Sequence, residues 1–120
     1  VFMASNCGGG DTDGGGASQR REYIKAMMEH IEIDSYGICL HNKDLPNNID
    51  SGWNGVQTFG DMMQMKTQLF SSYKFSLIFE NTNKVTDYVT EKIANALLAR
   101  SIPVYWGAPN IEAWLPHPNA

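Results

Sequence analysis

Six residues of the stretch from Glu80 to Lys92 stand out, offering two carboxylates, an amide, a phenol, a hydroxyl and an ammonium group: Glu80, Asn81, Tyr88, Thr90, Glu91 and Lys92. The first two follow the apolar burst Phe75–Phe79, and the last three open the next helical pattern, so a strand end and a helix start would bring them together. A lysine in the first turn of a helix opposes the macrodipole unless an anion lies opposite it. A diphosphate would be such an anion. Glu91, acceptor-only when ionised, suits a pair of sugar hydroxyls, and Tyr88 offers a flat face with a hydrogen-bonding tip. A lone Glu-Lys pair at a helix start is ordinarily just a solvated pair; the proximity of Glu80, Asn81 and Tyr88 turns the reading towards a binding site.

Other residues that could do chemistry weigh less. Asp11-Thr12-Asp13 imitates a D-x-D metal motif, but it lies in the glycine-rich run 8–16 that has the look of an inserted loop. Those glycines match neither G-x-G-x-x-G nor a phosphate-binding loop with its lysine. Asp34 stands where a dinucleotide fold would put a ribose-binding carboxylate, yet Tyr36 and Gly37 follow too soon, and it reads as structural. Cys7 and Cys39 are too few and wrongly spaced for zinc. Each follows a strand, so a bridge between them is geometrically reasonable, with two buried free thiols as the alternative. His30, His41 and His117 show no shared spacing from which the sequence would predict a catalytic role, and each is expected at the surface or in packing. Trp53, Trp106 and Trp114 read as core or loop anchors.

The elements that must position these groups follow from periodicity. Val1–Ala4 is the tail of a buried strand. Tyr23, Ile24, Met27, Met28 and Ile31 mark an amphipathic helix with Ser18 as N-cap, and Ile31–Tyr36 alternates as a strand closed by Gly37. Thr58–Tyr73 supports a helix with Met62, Met65, Leu69 and Phe70 on one face. After the strand 75–79, Asp87 or Thr90 caps a helix running to Arg100 that buries Ile93, Leu97 and Leu98. Ile102–Trp106 is a further buried strand, and Asn110–Leu115 a last turn or short helix. Alternating strands and helices predict an α/β fold, a Rossmann-like parallel sheet with helices on both faces. In such sheets ligands bind beyond the carboxyl ends of the strands, so the loops after Ala4, Tyr36, Phe79 and Trp106 share the rim of interest.

The 120 residues suffice for one compact domain. A net charge of −4 argues against bulk attraction to nucleic acid, so any anion site must be local. Val1 falls inside a strand, and Pro116 and Pro118 end the chain, so both ends are expected to be cuts in a longer protein.

The run YKFSLIFENT, then DYVTEK, then NALLARSIPVYWGAP resembles the donor-binding signature of the alpha-1,3-fucosyltransferase family. Upstream, Ser5-Asn6-Cys7, an arginine ahead of the helix and IDSYGICLHNKDLP keep the family's order, so the resemblance spans nearly the whole chain. It implies one half of a GT-B glycosyltransferase, residues 1–120 being the C-terminal domain that binds GDP-fucose, with the N-terminal acceptor domain outside this sequence. It implies further that Lys92 and Arg20 hold the diphosphate, Glu91 the ribose hydroxyls, and that Tyr88 and Asn81 line the donor pocket. Arg21 competes with Arg20 for the phosphate, and Glu80, Thr90 and Tyr36 are additional candidates.

An arginine suits that role because its fork binds phosphate oxygens in pairs. No tightly bound cofactor and no divalent metal is expected, since basic residues do the metal's work. The implied reaction inverts the anomeric centre of GDP-β-fucose to form an alpha-1,3 link to an N-acetylglucosamine hydroxyl. Its base is a carboxylate of the missing domain, so this chain alone is expected to bind donor without transferring fucose. Partners would be GDP-fucose and a glycan or glycoprotein acceptor, and the setting the Golgi lumen with a membrane anchor outside this chain. The alternatives are a non-catalytic nucleotide-sugar-binding module and a GT-B transferase for a different sugar.

Overall fold

The structure, a computed structural model, describes residues 1–8, 15–49 and 58–117; Asp11-Thr12-Asp13, Trp53 and Pro118 lie outside them. In chain order the elements are β1 (Phe2–Ala4), α1 (Gly16–Met28), β2 (Ser35–Gly37), α2 (Phe59–Phe70), β3 (Phe75–Phe79), α3 (Glu91–Leu98) and β4 (Ile102–Trp106), then a 3₁₀ turn at Ile111–Trp114. Strand β1 pairs with β2 in parallel, Phe2 opposite Ser35, and β3 pairs with β4 in parallel, Phe75 opposite Ile102. Val1 joins the two ribbons: its amino group donates to the Phe75 carbonyl at 3.0 Å, and its carbonyl accepts from the Leu77 N–H at 2.8 Å. The spatial order is therefore β2-β1-β3-β4, with all strands parallel.

Side chains alternate across the strands and build two cores. Phe2, Ala4, Leu77 and Phe79 pack with Ile24 of α1. Val1, Met3, Tyr36 and Ile78 face the other way, against Met65 and Leu69 of α2 and Ile93 and Ala96 of α3. Helices thus cover both faces, as the pattern predicts. No helix among the described residues is long and apolar enough to cross a membrane.

Local chemistry fixes the helix starts. Thr58 caps α2 in a reciprocal capping box with Asp61, and the Thr90 hydroxyl accepts from the Lys92 N–H at the start of α3. Helix α1 starts earlier than expected: Gly15, at φ 78°, is its N-cap, and Ser18 lies within the helix. Gly16 has a steric reason to be glycine, because a side chain there would run into the Asn81 backbone. That close approach seats the first turn of α1 against the end of β3.

Other boundaries also move. Strand β2 begins at Ser35, because Glu29, His30 and Ile31 still bond to α1 carbonyls and leave Ile31 exposed. Helix α3 stops at Leu98, which is exposed, and the buried positions are Ile93, Asn95 and Ala96. Asp87 caps nothing; at φ 64° it accepts from Asn110 and Trp114 and ties its loop to the 3₁₀ turn, with Trp114 as a loop anchor. Strand β4, expected to be buried, is an edge in this order, with Ile102 and Val104 half-exposed. His41 has an acidic partner, since its Nε2 lies 3.2 Å from Asp44 on the surface.

Candidate functional site

Strands β1 and β3 are neighbours whose helical connections leave in opposite directions, α1 towards β2 and α3 towards β4. Their carboxyl ends therefore frame the crevice of a topological switch point. A cavity of about 170 Å³ lies there, with Ser5 and Asn6 after β1, Arg20 of α1, Lys66 of α2, Asn81 after β3 and Lys92 of α3 on its walls. Three cations line it, and none of its lining residues among those described is a carboxylate. In a chain of net charge −4, that concentration makes the cavity a candidate anion site.

Arg20 occupies a position where the α1 stripe of Ala17, Ile24, Met27 and Met28 would take an apolar residue, and it is buried. Its Nη1 donates to the Phe79 carbonyl at 3.1 Å and to Asn81 Oδ1 at 2.8 Å, while its Nη2 donates to the Asn6 carbonyl. The guanidinium thus clamps the ends of β1 and β3 to each other. Burial pulls its pKa down, and the negative charge of Glu80 works against that pull. Arg21, the rival candidate, turns outward to Glu22 at 3.0 Å and to the Cys7 carbonyl at 3.4 Å, and it is absent from the cavity wall.

The anion opposite Lys92 is internal. Its Nζ donates to Glu80 Oε2 at 2.8 Å and to the Thr90 hydroxyl at 2.9 Å. Glu80 is fully buried and also accepts from the Thr90 N–H at 3.0 Å and the Thr90 hydroxyl at 2.8 Å. Gly107 is held to glycine beside it, because a larger residue would meet the Glu80 stem and the Tyr105 ring. Glu80 and Thr90 are therefore the seat of Lys92, a role beneath the cavity rather than in its wall.

Glu91, in the first turn of α3, lies 3.4 Å from Lys66 Nζ. Its burial would raise the carboxyl pKa, but the positive charges of Lys92 and Lys66 outweigh that and hold it below the usual range, so it is ionised at neutral pH. Tyr88 accepts a 3.5 Å contact from Asn81 Nδ2, at the limit of a hydrogen bond.

The structure thus brings Arg20, Asn81 and Lys92 to one cavity, with Glu80, Thr90, Tyr88 and Glu91 beside or beneath it. It does not bring Tyr36, which is buried in the core with its hydroxyl 2.6 Å from that of Tyr73. Sequence reasoning missed Lys66. The signal was present: Lys66 interrupts the stripe of Met62, Met65 and Leu69 on α2. It also missed Asn95, fully buried on α3, whose carboxamide makes no hydrogen bond among the described residues and borders a small cavity beneath Lys66 and Lys92.

The loop carrying Asn6 is stapled from outside. Cys7 and Cys39 form a disulfide, which resolves the bridge-or-thiols alternative and ties the end of β1 to the segment after β2. Asp34 is structural, bonded to Lys43 and to the Tyr73 hydroxyl, each at 2.6 Å. Among the described residues no cluster of three or more His, Cys, Asp or Glu could hold a metal ion.

Comparison with known proteins agrees with the geometry. The family model described as glycosyltransferase family 10 (fucosyltransferase) C-term matches residues 1–119. The chain is 47% identical over 100 residues to GDP-fucose protein O-fucosyltransferase 3 of Danio rerio, covering 82% of this chain and 20% of the relative. It is 41% identical over 116 residues to the Gallus gallus protein of the same name, covering 97% and 22%. To alpha-(1,3)-fucosyltransferase B of Drosophila melanogaster it is 37% identical over 117 residues, covering 98% and 24%. The chain spans about a fifth to a quarter of the length of these relatives. With its parallel α/β architecture, its cationic cavity at the strand switch and this match over nearly all its residues, the chain belongs to glycosyltransferase family 10, the fucosyltransferases, and corresponds to that family's C-terminal region.

Proposed function

We propose that the protein containing this chain transfers fucose from GDP-fucose and that this chain supplies the donor site. The observation that carries the reading is the cavity between β1 and β3, where Arg20, Lys66 and Lys92 converge with no carboxylate among the described lining residues. Pockets that enclose a whole small ligand usually run to about 300–1,000 Å³. A 170 Å³ cationic cavity instead suits the diphosphate, with nucleoside and sugar extending along the open rim.

Fixed cations over a leaving diphosphate stabilise the charge that develops as the sugar–phosphate bond breaks. Lys92 is well fitted to this, because Glu80 and Thr90 hold its ammonium group in place before the ligand arrives. Asn81 and Tyr88 stand where the donor pocket continues past β3, and Glu91 is ionised and able to accept from ribose hydroxyls.

Inversion needs a base on the acceptor hydroxyl. Of the described carboxylates beside the cavity, Glu80 is committed to Lys92 and Glu91 is assigned to the ribose hydroxyls, so the base is assigned to the rest of the protein. The acceptor is a protein hydroxyl in the first reading, favoured by the higher identity to the relatives named protein O-fucosyltransferase 3. The second reading is an alpha-1,3 link to N-acetylglucosamine, favoured by the Drosophila relative's name. The Golgi lumen is proposed as the compartment, and the Cys7–Cys39 disulfide suits an oxidising one.

Calorimetry on the intact protein with GDP-fucose, GDP-mannose and UDP-sugars tests the donor. Preferential binding of GDP-fucose, lost in an Arg20→Ala, Lys92→Ala double variant, is expected; preference for another nucleotide sugar would overturn the reading. Transfer assays on folded protein domains and on N-acetylglucosamine glycans then separate the acceptors. Donor binding without transfer to either would make the protein a binding module.

A further inference from the structure

The cations of the cavity differ in how firmly they are already held. Arg20 is committed to the carbonyls of Phe79 and Asn6 and to Asn81. Lys92 is committed at 2.8 Å to a fully buried carboxylate and at 2.9 Å to the Thr90 hydroxyl. Prising either loose would strand a buried acceptor, which is costly. Lys66 is different. Its partner among the described residues is Glu91, at 3.4 Å, and both side chains keep water contact, at 20% and 26% exposure. A part-solvated pair at that distance is a weak one. Lysine also carries its charge on a flexible four-carbon stem that can be re-aimed.

Resting on the donor-site reading, we infer that Lys66 is the mobile phosphate ligand of the cavity: it leaves Glu91 for the diphosphate when nucleotide binds, and so frees Glu91 to accept hydroxyl groups of the same ligand. The exchange suits both partners. Lys66 trades a long contact for phosphate oxygens inside a cavity that it already lines, and Glu91 keeps the positive charge of Lys92 beside it after Lys66 departs. Arg20 and Lys92 then act as the preformed floor, and Lys66 of α2 closes over it. Because Lys66 comes from α2 and Glu91 from α3, the exchange also couples these packed helices to nucleotide occupancy.

The test is calorimetry on the intact protein with GDP and with guanosine, for the parent, Lys66→Met and Lys66→Arg. Methionine keeps the apolar stem and removes the charge; arginine keeps the charge. Loss of a charged hydrogen bond predicts GDP affinity about tenfold or more weaker in Lys66→Met, with guanosine affinity changed less than about twofold. Lys66→Arg should recover most of the loss. Equal weakening of GDP and guanosine, without rescue by arginine, would make Lys66 a structural tie between α2 and α3 and overturn the inference. Unchanged GDP binding in Lys66→Met, with the parent binding GDP normally, would overturn it while leaving the donor site standing. A parent protein that binds no GDP would remove both.

Discussion

The molecule carries the same three groups twice. At the carboxyl end of β3, Glu80 meets Lys92 at 2.8 Å and the Thr90 hydroxyl at 2.8 Å. At the amino end of β2, Asp34 meets Lys43 and the Tyr73 hydroxyl, each at 2.6 Å. Carboxylate, lysine and hydroxyl are arranged alike, yet only the first cluster is a candidate for chemistry. The difference is where the parallel sheet puts them. The Glu80 cluster sits on the rim where the strands end and α3 begins, beside a crevice lined by two further cations. The Asp34 cluster joins a strand start to the residues that precede β3, and its bonds tie chain to chain. Burial differs as well: Glu80 is wholly out of water, whereas Lys43 is half-exposed. A constellation of side chains is therefore not a site by its chemistry alone.

The largest expected effect tests that contrast in stability. Glu80→Ala leaves Lys92 without its buried partner and should cost about 3–5 kcal/mol, nearer the lower figure because the lysine keeps some water contact. Asp34→Ala should shift the urea midpoint by far less; equal losses in urea denaturation would erase the distinction. In catalysis the contrast sharpens further. Lys92→Met should lower kcat/KM with GDP-fucose about a hundredfold or more, as removal of a fixed transition-state donor does. Lys43→Met, at the other cluster, should leave kcat/KM within about twofold of the parent by the same assay.

The smallest effect lies in pH. Hydrogen bonds from Lys43 and then Tyr73 hold the Asp34 carboxyl below its ordinary pKa. The folded state therefore binds its proton less readily than the unfolded chain, and the bonds contribute stability above the ordinary carboxylate value of about 4, lost as pH falls through the depressed one. Tyr73→Phe removes part of that depression, so its urea midpoint should sit slightly below the parent's at pH 7 and approach it in acid. A gap that widened in acid would refute the assignment.

Much of this was legible beforehand, for physical reasons. The apolar burst Phe75–Phe79 and the helical spacing of Met65, Leu69 and Ile93 report which faces are buried, and burial made the parallel sheet with helices on both sides; Leu97 and Leu98, read as buried too, give way to Asn95 and Ala96. Thr90 was recognised as a candidate cap because a hydroxyl before an apolar helical run satisfies free N–H groups. The edge character of β4 was not legible: the apolar run Ile102–Trp106 looks the same whether it has one neighbour or two. The Ser18 cap was misplaced because a glycine in the left-handed region started α1 earlier.

The sequence by itself determined that Glu80, Asn81, Tyr88, Thr90, Glu91 and Lys92 would gather at a strand end and a helix start, since neighbours in the chain stay neighbours in space. Tertiary structure alone decided which groups from afar would join them. It brought in Arg20 rather than Arg21 and supplied Lys66, because helix rotation against the sheet sets which side of each helix meets the crevice. It sent Tyr36 into the core, and it made Glu80 the buried counter-charge of Lys92. Pairings of that kind depend on packing between segments far apart in the chain, and no local spacing encodes them.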